Sequence, residues 1–277
     1  MGLGAVGALK SVGLALVALG AMAQVAPVDP LLKARQLYNE HRYDEAIEAA
    51  TEARKLPTLA NAAAVVFARA SLERFRLTRV SDDLTAARDA LKEVEHAKLS
   101  PRDRVELLVG LGESLYLDGC LDGCYSAAAQ TFELALDRAL DADLTARALI
   151  FEWWAGSLDR QAQMGPPADR QPLYQRILRR SEEELAKNEL SATATYWLAA
   201  ASRGLEDYER AWGAAIAGWV RARYMGPEGA ELRADLERLV SKVLLPERAR
   251  QLAPDGDARP ALATLQAQWE ELKKKYE

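Results

Sequence analysis

Beyond Pro30 the chain is a run of short apolar stripes separated by breakers. The clearest are Ala46/Ala50/Ala53, Ala87/Leu91/Val94, Ala128/Phe132/Ala135 and Ala211/Ala215/Gly218. Each steps by four residues and then three, which sets its members on one face of a helix rather than alternating across a strand. The first members lie 41, 41 and 83 residues apart, so the last interval holds two periods. The intervening unit falls on residues 172–188, where the stripe is weakest. A helix with one such face cannot hide it alone, so neighbouring pairs are expected to stack on one another.

Punctuation divides the helices. Residues 58–78 read as one long helix and 162–171 as a loop. Ser100-Pro101-Arg102-Asp103 gives an N-cap, a proline at the first helical position and an acid facing the helix dipole. From Gly226 to Glu277 the period stops. Two or three helices there, broken at Pro246, are expected to cap the open end of the stack, with Lys273-Lys274-Lys275 as a solvated last turn.

The first unit, residues 31–57, carries a more specific pattern. Ala34 sits mid-helix with Leu37 and Tyr38 one turn on. After a tight turn come Tyr43-Asp44-Glu45-Ala46, then Ala50, Ala53 and a closing Pro57. In these residues the chain resembles the tetratricopeptide repeat (TPR) family, although a period near 41 exceeds the family's ~34 and approaches that of HEAT repeats. The resemblance implies an all-α fold: a right-handed α-solenoid of about five helix-turn-helix units over residues 24–225, with capping helices at 226–277. It also implies a concave groove lined by the first helix of each unit. Matching positions give Arg35, Tyr38 and Asn39 in unit one, Glu113 and Tyr116 in unit three, and Tyr196 and Arg203 in unit five. The Lys/Asn set with which some family members hold a C-terminal carboxylate is missing, since Leu31 and Arg35 stand where it would begin.

The first 23 residues pose a separate question. Gly2-Leu3-Gly4-Ala5-Val6-Gly7 spells a dinucleotide-binding fingerprint, which needs a strand before it and a helix after it. No strand is expected ahead of it. Lys10, the apolar run 11–20 and Ala21-Met22-Ala23 fit a cleaved secretory leader instead, with an uncleaved N-terminal anchor as the alternative. Export to a periplasm or the cell exterior places Cys120 and Cys124, the only cysteines, in oxidising surroundings. With Gly119 and Gly123 beside them, a local disulfide is expected.

Composition narrows the function. A net charge of −5 without a basic patch argues against nucleic acid. The mature chain is not expected to insert in a membrane. His41 and His96, the only histidines, are expected exposed, and the signatures of nucleophilic, metal or phosphate chemistry are missing. No catalytic residue, cofactor or metal set is therefore expected, and carboxylate runs such as residues 179–187 read as solvated faces. Six tryptophans, all after residue 150, read mainly as core, with Trp212, Ala215, Ile216 and Trp219 forming a buried stripe. Trp153 and Trp154 sit about 100° apart on a helix, so one can turn toward the groove. The expected function is a non-catalytic scaffold binding a protein or peptide. The alternatives are an envelope assembly component acting by self-association, an enzyme using groove carboxylates, and a pigment, haem or lipid carrier.

Overall fold

The computed structural model describes residues 29–120, 123–139 and 144–276. The proposed leader therefore lies outside the described residues. Among those residues every regular element is helical. In chain order they are α1 (Pro30–Asn39), α2 (Tyr43–Arg54), α3 (Ala60–Thr78), α4 (Ser81–Lys92), α5 (Pro101–Asp118), α6 (Cys124–Arg138), α7 (Leu144–Met164), α8 (Pro167–Lys187), α9 (Ala192–Gly204), α10 (Tyr208–Ala222), α11 (Pro227–Leu239), α12 (Leu245–Leu252) and α13 (Arg259–Lys275). No helix among the described residues is long and apolar enough to cross a membrane.

Each helix from α1 to α11 packs on the next. The odd-numbered ones also touch in sequence, α1 on α3, α3 on α5, and so on to α9 on α11. The odd helices thus form a continuous layer. Small residues make the close approach possible: Ala46, Ala50, Ala53, Ala87, Ala128, Ala135, Ala211 and Ala215 are all fully buried. The apolar stripes of the sequence are therefore the helix-packing faces, except that Val94 falls beyond the end of α4 and is only half-buried, and burying them supplies most of the driving force.

Turn geometry repeats along with the stripes. His41, Arg79 and Glu206 adopt left-handed backbone at φ 59°, 60° and 63°, and Gly119 joins them at 61°. Each residue follows an odd helix, α1, α3, α9 or α5, and stops it before an even one. A left-handed residue at that point lets the freed N–H groups reach back to the last helical turn. Arg79 N–H, for instance, bonds the Phe75 carbonyl at 2.8 Å. The α7–α8 connection departs from this pattern. Residues 162–171 are not a loop, because α7 runs to Met164 and α8 begins at Pro167, leaving only Gly165 and Pro166 between them. Pro167 lies in the first turn of α8, where its missing N–H costs nothing.

The largest apolar cluster spans α5 to α9 around Phe132, Phe151, Trp154 and Ile177. A second joins α9–α13, where Trp269 of α13 meets the rings of Trp212 and Trp219 edge-on at 5.8 and 5.3 Å. Ala215 is fully buried, while Trp212, Ile216 and Trp219 are half-buried under the C-terminal helices. The predicted stripe thus exists, but its aromatics are finished by α13 rather than by the next repeat. Helix α11 passes through a π-turn, Val240–Leu244, directly into α12. Pro246 lacks an N–H and its ring would crowd the preceding turn, so the wider turn lets the helix continue. Lys273 is mostly covered and pairs with Glu237 at 2.9 Å, so the lysine run is not wholly solvated.

Candidate binding site on the odd-numbered helices

Three odd helices converge on one polar pocket. Helix α1 brings Arg35, Tyr38 and Asn39, and α3 brings Val65, Val66 and Arg69. From α5 come Arg102, Asp103 and Glu106, and together these enclose a cavity of 50 Å³. Steps of three and four residues put each group on one helical face. The N-cap of α5 fixes its start. Ser100 Oγ accepts the Asp103 N–H at 3.2 Å and donates to the Asp103 carboxylate at 2.7 Å. The same carboxylate pairs with Arg35 of α1. A residue read only as a helix start is therefore also a tie between helices.

Arg69 is the centre of the pocket. It is 8% exposed and pairs with Glu106, while its second arm reaches Glu113 at 3.3 Å. Its guanidinium also lies 4.9 Å from the centre of the Tyr38 ring, a cation–π contact in a largely desolvated setting. Two buried polar atoms in this cluster have no hydrogen-bond partner, Arg69 Nε and Glu113 Oε2. Burial pushes the Glu113 carboxyl up to about 7; Arg69 opposes the rise, while Glu73 and Glu106 add to it. Burial likewise holds the Tyr38 hydroxyl well above the ordinary phenol range, with Arg69 pulling it down.

The seven groove residues chosen from the sequence do not form one site. Arg35, Tyr38 and Asn39 line the pocket. Glu113 sits beneath it, 1% exposed, because it lies seven residues beyond Glu106 on the face that α3 covers. Tyr116 is half-buried, edge-on to Trp153 and Tyr125 at 5.0 and 5.4 Å. Trp153 is thus the member of the Trp pair turned to the odd-helix layer, and Trp154 is buried. Tyr196 lies edge-on to Trp197 at 5.2 Å, and burial raises its hydroxyl to about 12. Beside it Trp197 Nε1 donates to Glu152 at 2.8 Å. Arg203 makes a two-pronged pair with Glu247 of α12, its Nε donating at 2.7 Å. That pair borders a separate cavity of 640 Å³, also lined by Arg170, Tyr174, Glu206 and Tyr208.

Arg69, Arg102, Asp103 and Glu106 were missed by sequence reasoning. One signal was available for Arg69: a lone charge inside the apolar run from Ala62 to Leu72, at a position one turn from Val65 and Val66. Glu184 was misread. It is not a solvated member of a charged face but 6% exposed, held by Arg147 of α7 through two bonds of 2.7 Å. Burial alone would raise its carboxyl; the bonds from Arg147 and Lys187 outweigh that and leave it below the ordinary range.

Cys120 and Cys124 are joined in a disulfide between α5 and α6, their Cα atoms 5.4 Å apart. Their sulfurs and an Asp118 oxygen lie within 4.8 Å of one another, a spacing a metal could span. Bridged sulfurs are not thiolates, however, and thiolates are what bind zinc. His41 and His96 are both exposed. No protein-family model matches the chain, and no curated protein matches it in sequence.

Proposed function

We propose that the chain is an exported, TPR-like scaffold that binds a protein or peptide along its odd-helix face. In this reading residues 1–23 are a cleaved leader. Residues 24–225 form a right-handed solenoid of about five units whose concave side is the odd-helix layer, and 226–277 cap it. The left-handed turn residues after α1, α3, α5 and α9 support the unit division, because they recur where each first helix ends. The disulfide supports export, since such bridges persist in oxidising compartments.

One observation carries the binding reading. The odd helices make a continuous layer whose polar and aromatic groups are held by neighbouring side chains: Arg69 over Tyr38, Arg35 on Asp103, Tyr116 against Trp153. Rigid aromatic and arginine side chains lose little freedom on binding and dominate protein interfaces. Nothing in this cluster pairs a nucleophile with a base, so recognition accounts for it better than catalysis does.

Pull-down from the native envelope extract tests the proposal. Wild type and the Tyr38→Ala/Tyr116→Ala double variant, matched for folding by circular dichroism, should recover different sets of proteins. Equal recovery of the same partners would reject the odd-helix face as the binding surface.

A further inference from the structure

The Arg69 cluster holds more acid than base. Among the groups that face Glu113, α1 contributes Tyr38 and α2 Tyr43. Helix α3 contributes Arg69, Glu73 and Arg76, and Glu106 stands seven residues earlier on α5 itself. Arg76 is taken by Glu73 at 2.7 Å. Arg88 of α4 turns away to the Ser114 carbonyl and Asp118, and Arg160 of α7 to Tyr116. On the α6 side the neighbour is apolar, the Phe132 ring against Gly112. One buried cation, Arg69, therefore serves two carboxylates, Glu106 and Glu113.

We propose that Glu113 is a proton-operated latch on the pocket: protonated, it lets α1, α3 and α5 close around Arg69, and ionised, it loosens them. With its proton, Glu113 leaves Arg69 and Glu106 as a balanced pair. Without it, Arg69 is shared between the fully buried Glu113 and the partly exposed Glu106, which leaves one negative charge in the cluster uncompensated, and the second Glu113 carboxylate oxygen accepts from no donor. Low dielectric makes that excess costly, and the cheapest relief is to admit water by separating α3 from α5. Arg69 and Glu106 line the pocket directly, so the same motion widens the place where a partner would enter. The inference rests on the odd-helix face being the binding surface only for its purpose; the latch itself acts in the partner-free chain.

The sign follows from linkage. The Glu113 carboxyl is raised from 4.5 to about 7 in the fold, so its stabilising effect is complete below pH 4.5 and is lost as pH rises through 7. That gap corresponds to a roughly 300-fold change in the folding equilibrium constant.

Urea unfolding and amide exchange of the full chain at pH 5 and pH 8.5 test it, comparing wild type with Glu113→Gln, which stays neutral. Wild type should lose roughly 75-fold in the folding equilibrium constant between the two pH values, less than the full range because an unfolded carboxyl is already mostly ionised at pH 5, and α3 and α5 should exchange faster at pH 8.5 after correction for the chemical rate. Glu113→Gln should lose distinctly less, keeping only the contribution of other carboxyls raised by burial such as Glu152, and its α3 and α5 should not exchange faster at pH 8.5. Equal pH responses in the two proteins would overturn the latch. Should Glu113→Gln not fold, carboxyl-carbon NMR of wild type decides: a Glu113 midpoint near 7 supports the latch, and one below 5.5 rejects it. None of these readings depends on a partner, so a failed pull-down and a failed latch are separate results.

Discussion

Two glycines in this chain should answer the same substitution with opposite signs. Gly112 lies inside α5, and a methyl group added there would sit 2.7 Å from two carbons of the Phe132 ring. That ring is fully buried and stacks on Trp153 with centroids 5.9 Å apart, so it has nowhere to retreat. Gly213 lies inside α10, and a methyl there meets nothing within 4 Å. Glycine in a helix costs ~1 kcal/mol relative to alanine, so Gly213→Ala should stabilise the protein by about 0.5–1 kcal/mol. Gly112→Ala receives the same gain, but overpacking of a rigid core costs ~1–3 kcal/mol. Its expected outcome is a net loss of up to about 2 kcal/mol, read as a lower urea midpoint by far-UV circular dichroism. Phe132→Leu trims the ring that the methyl strikes. The Gly112→Ala/Phe132→Leu double variant should therefore be more stable than the sum of the single effects by ~1 kcal/mol. If both glycine variants stabilise equally, α5 and α6 are not in the close contact described, and the packing argument fails.

Other outcomes follow from the same structure. Glu184→Gln strips a buried carboxylate from Arg147, which keeps only the Leu136 and Ala139 carbonyls, and should cost about 2–4 kcal/mol in urea unfolding. Because the fold holds Glu184 below its ordinary 4.5, the pair stabilises above that pH and loses its effect as pH falls further. The melting temperature of Glu184→Gln should accordingly fall less than that of wild type between pH 5 and 3. Arg79→Gly should raise the urea midpoint, since a left-handed arginine costs ~1–2 kcal/mol and glycine's greater unfolded freedom returns only part of it. Cys120→Ser/Cys124→Ser should destabilise by ~2 kcal/mol at most, because the bridge closes a short loop. A loss above about 4 kcal/mol would mean that the bridge holds more than the α5–α6 turn.

Much of the architecture was legible in the chain because it rests on local rules. Apolar residues stepping by four and three specify a helix with one sticky face, and Ala46, Ala87, Ala128 and Ala211 are fully buried as that rule requires. The Ser100 cap, the two cysteines beside glycines and the break at Gly226 are equally local. The failures are informative. Residues 162–171 read as a loop because Gly165, Pro166 and Pro167 are strong breakers, yet two prolines fit the start of a helix as well as its end. Glu184 read as solvated because charged neighbours surround it in sequence, whereas Arg147, its true partner, stands on the preceding helix.

The binding site divides in the same way. Arg35, Tyr38 and Asn39 could be placed on one face from their spacing alone. Their meeting with Arg69 and Glu106 could not, because it depends on how far α3 and α5 slide along α1. Neither could the burial of Glu113, whose carboxyl is ordinary in any isolated helix and becomes unusual only when α3 closes over it. Sequence by itself determined which face of each helix is apolar, since a side chain's direction on a helix follows from its position in the chain. Tertiary packing alone decided which charges share a desolvated space, because electrostatic energy depends on distance and dielectric between groups that the chain keeps dozens of residues apart.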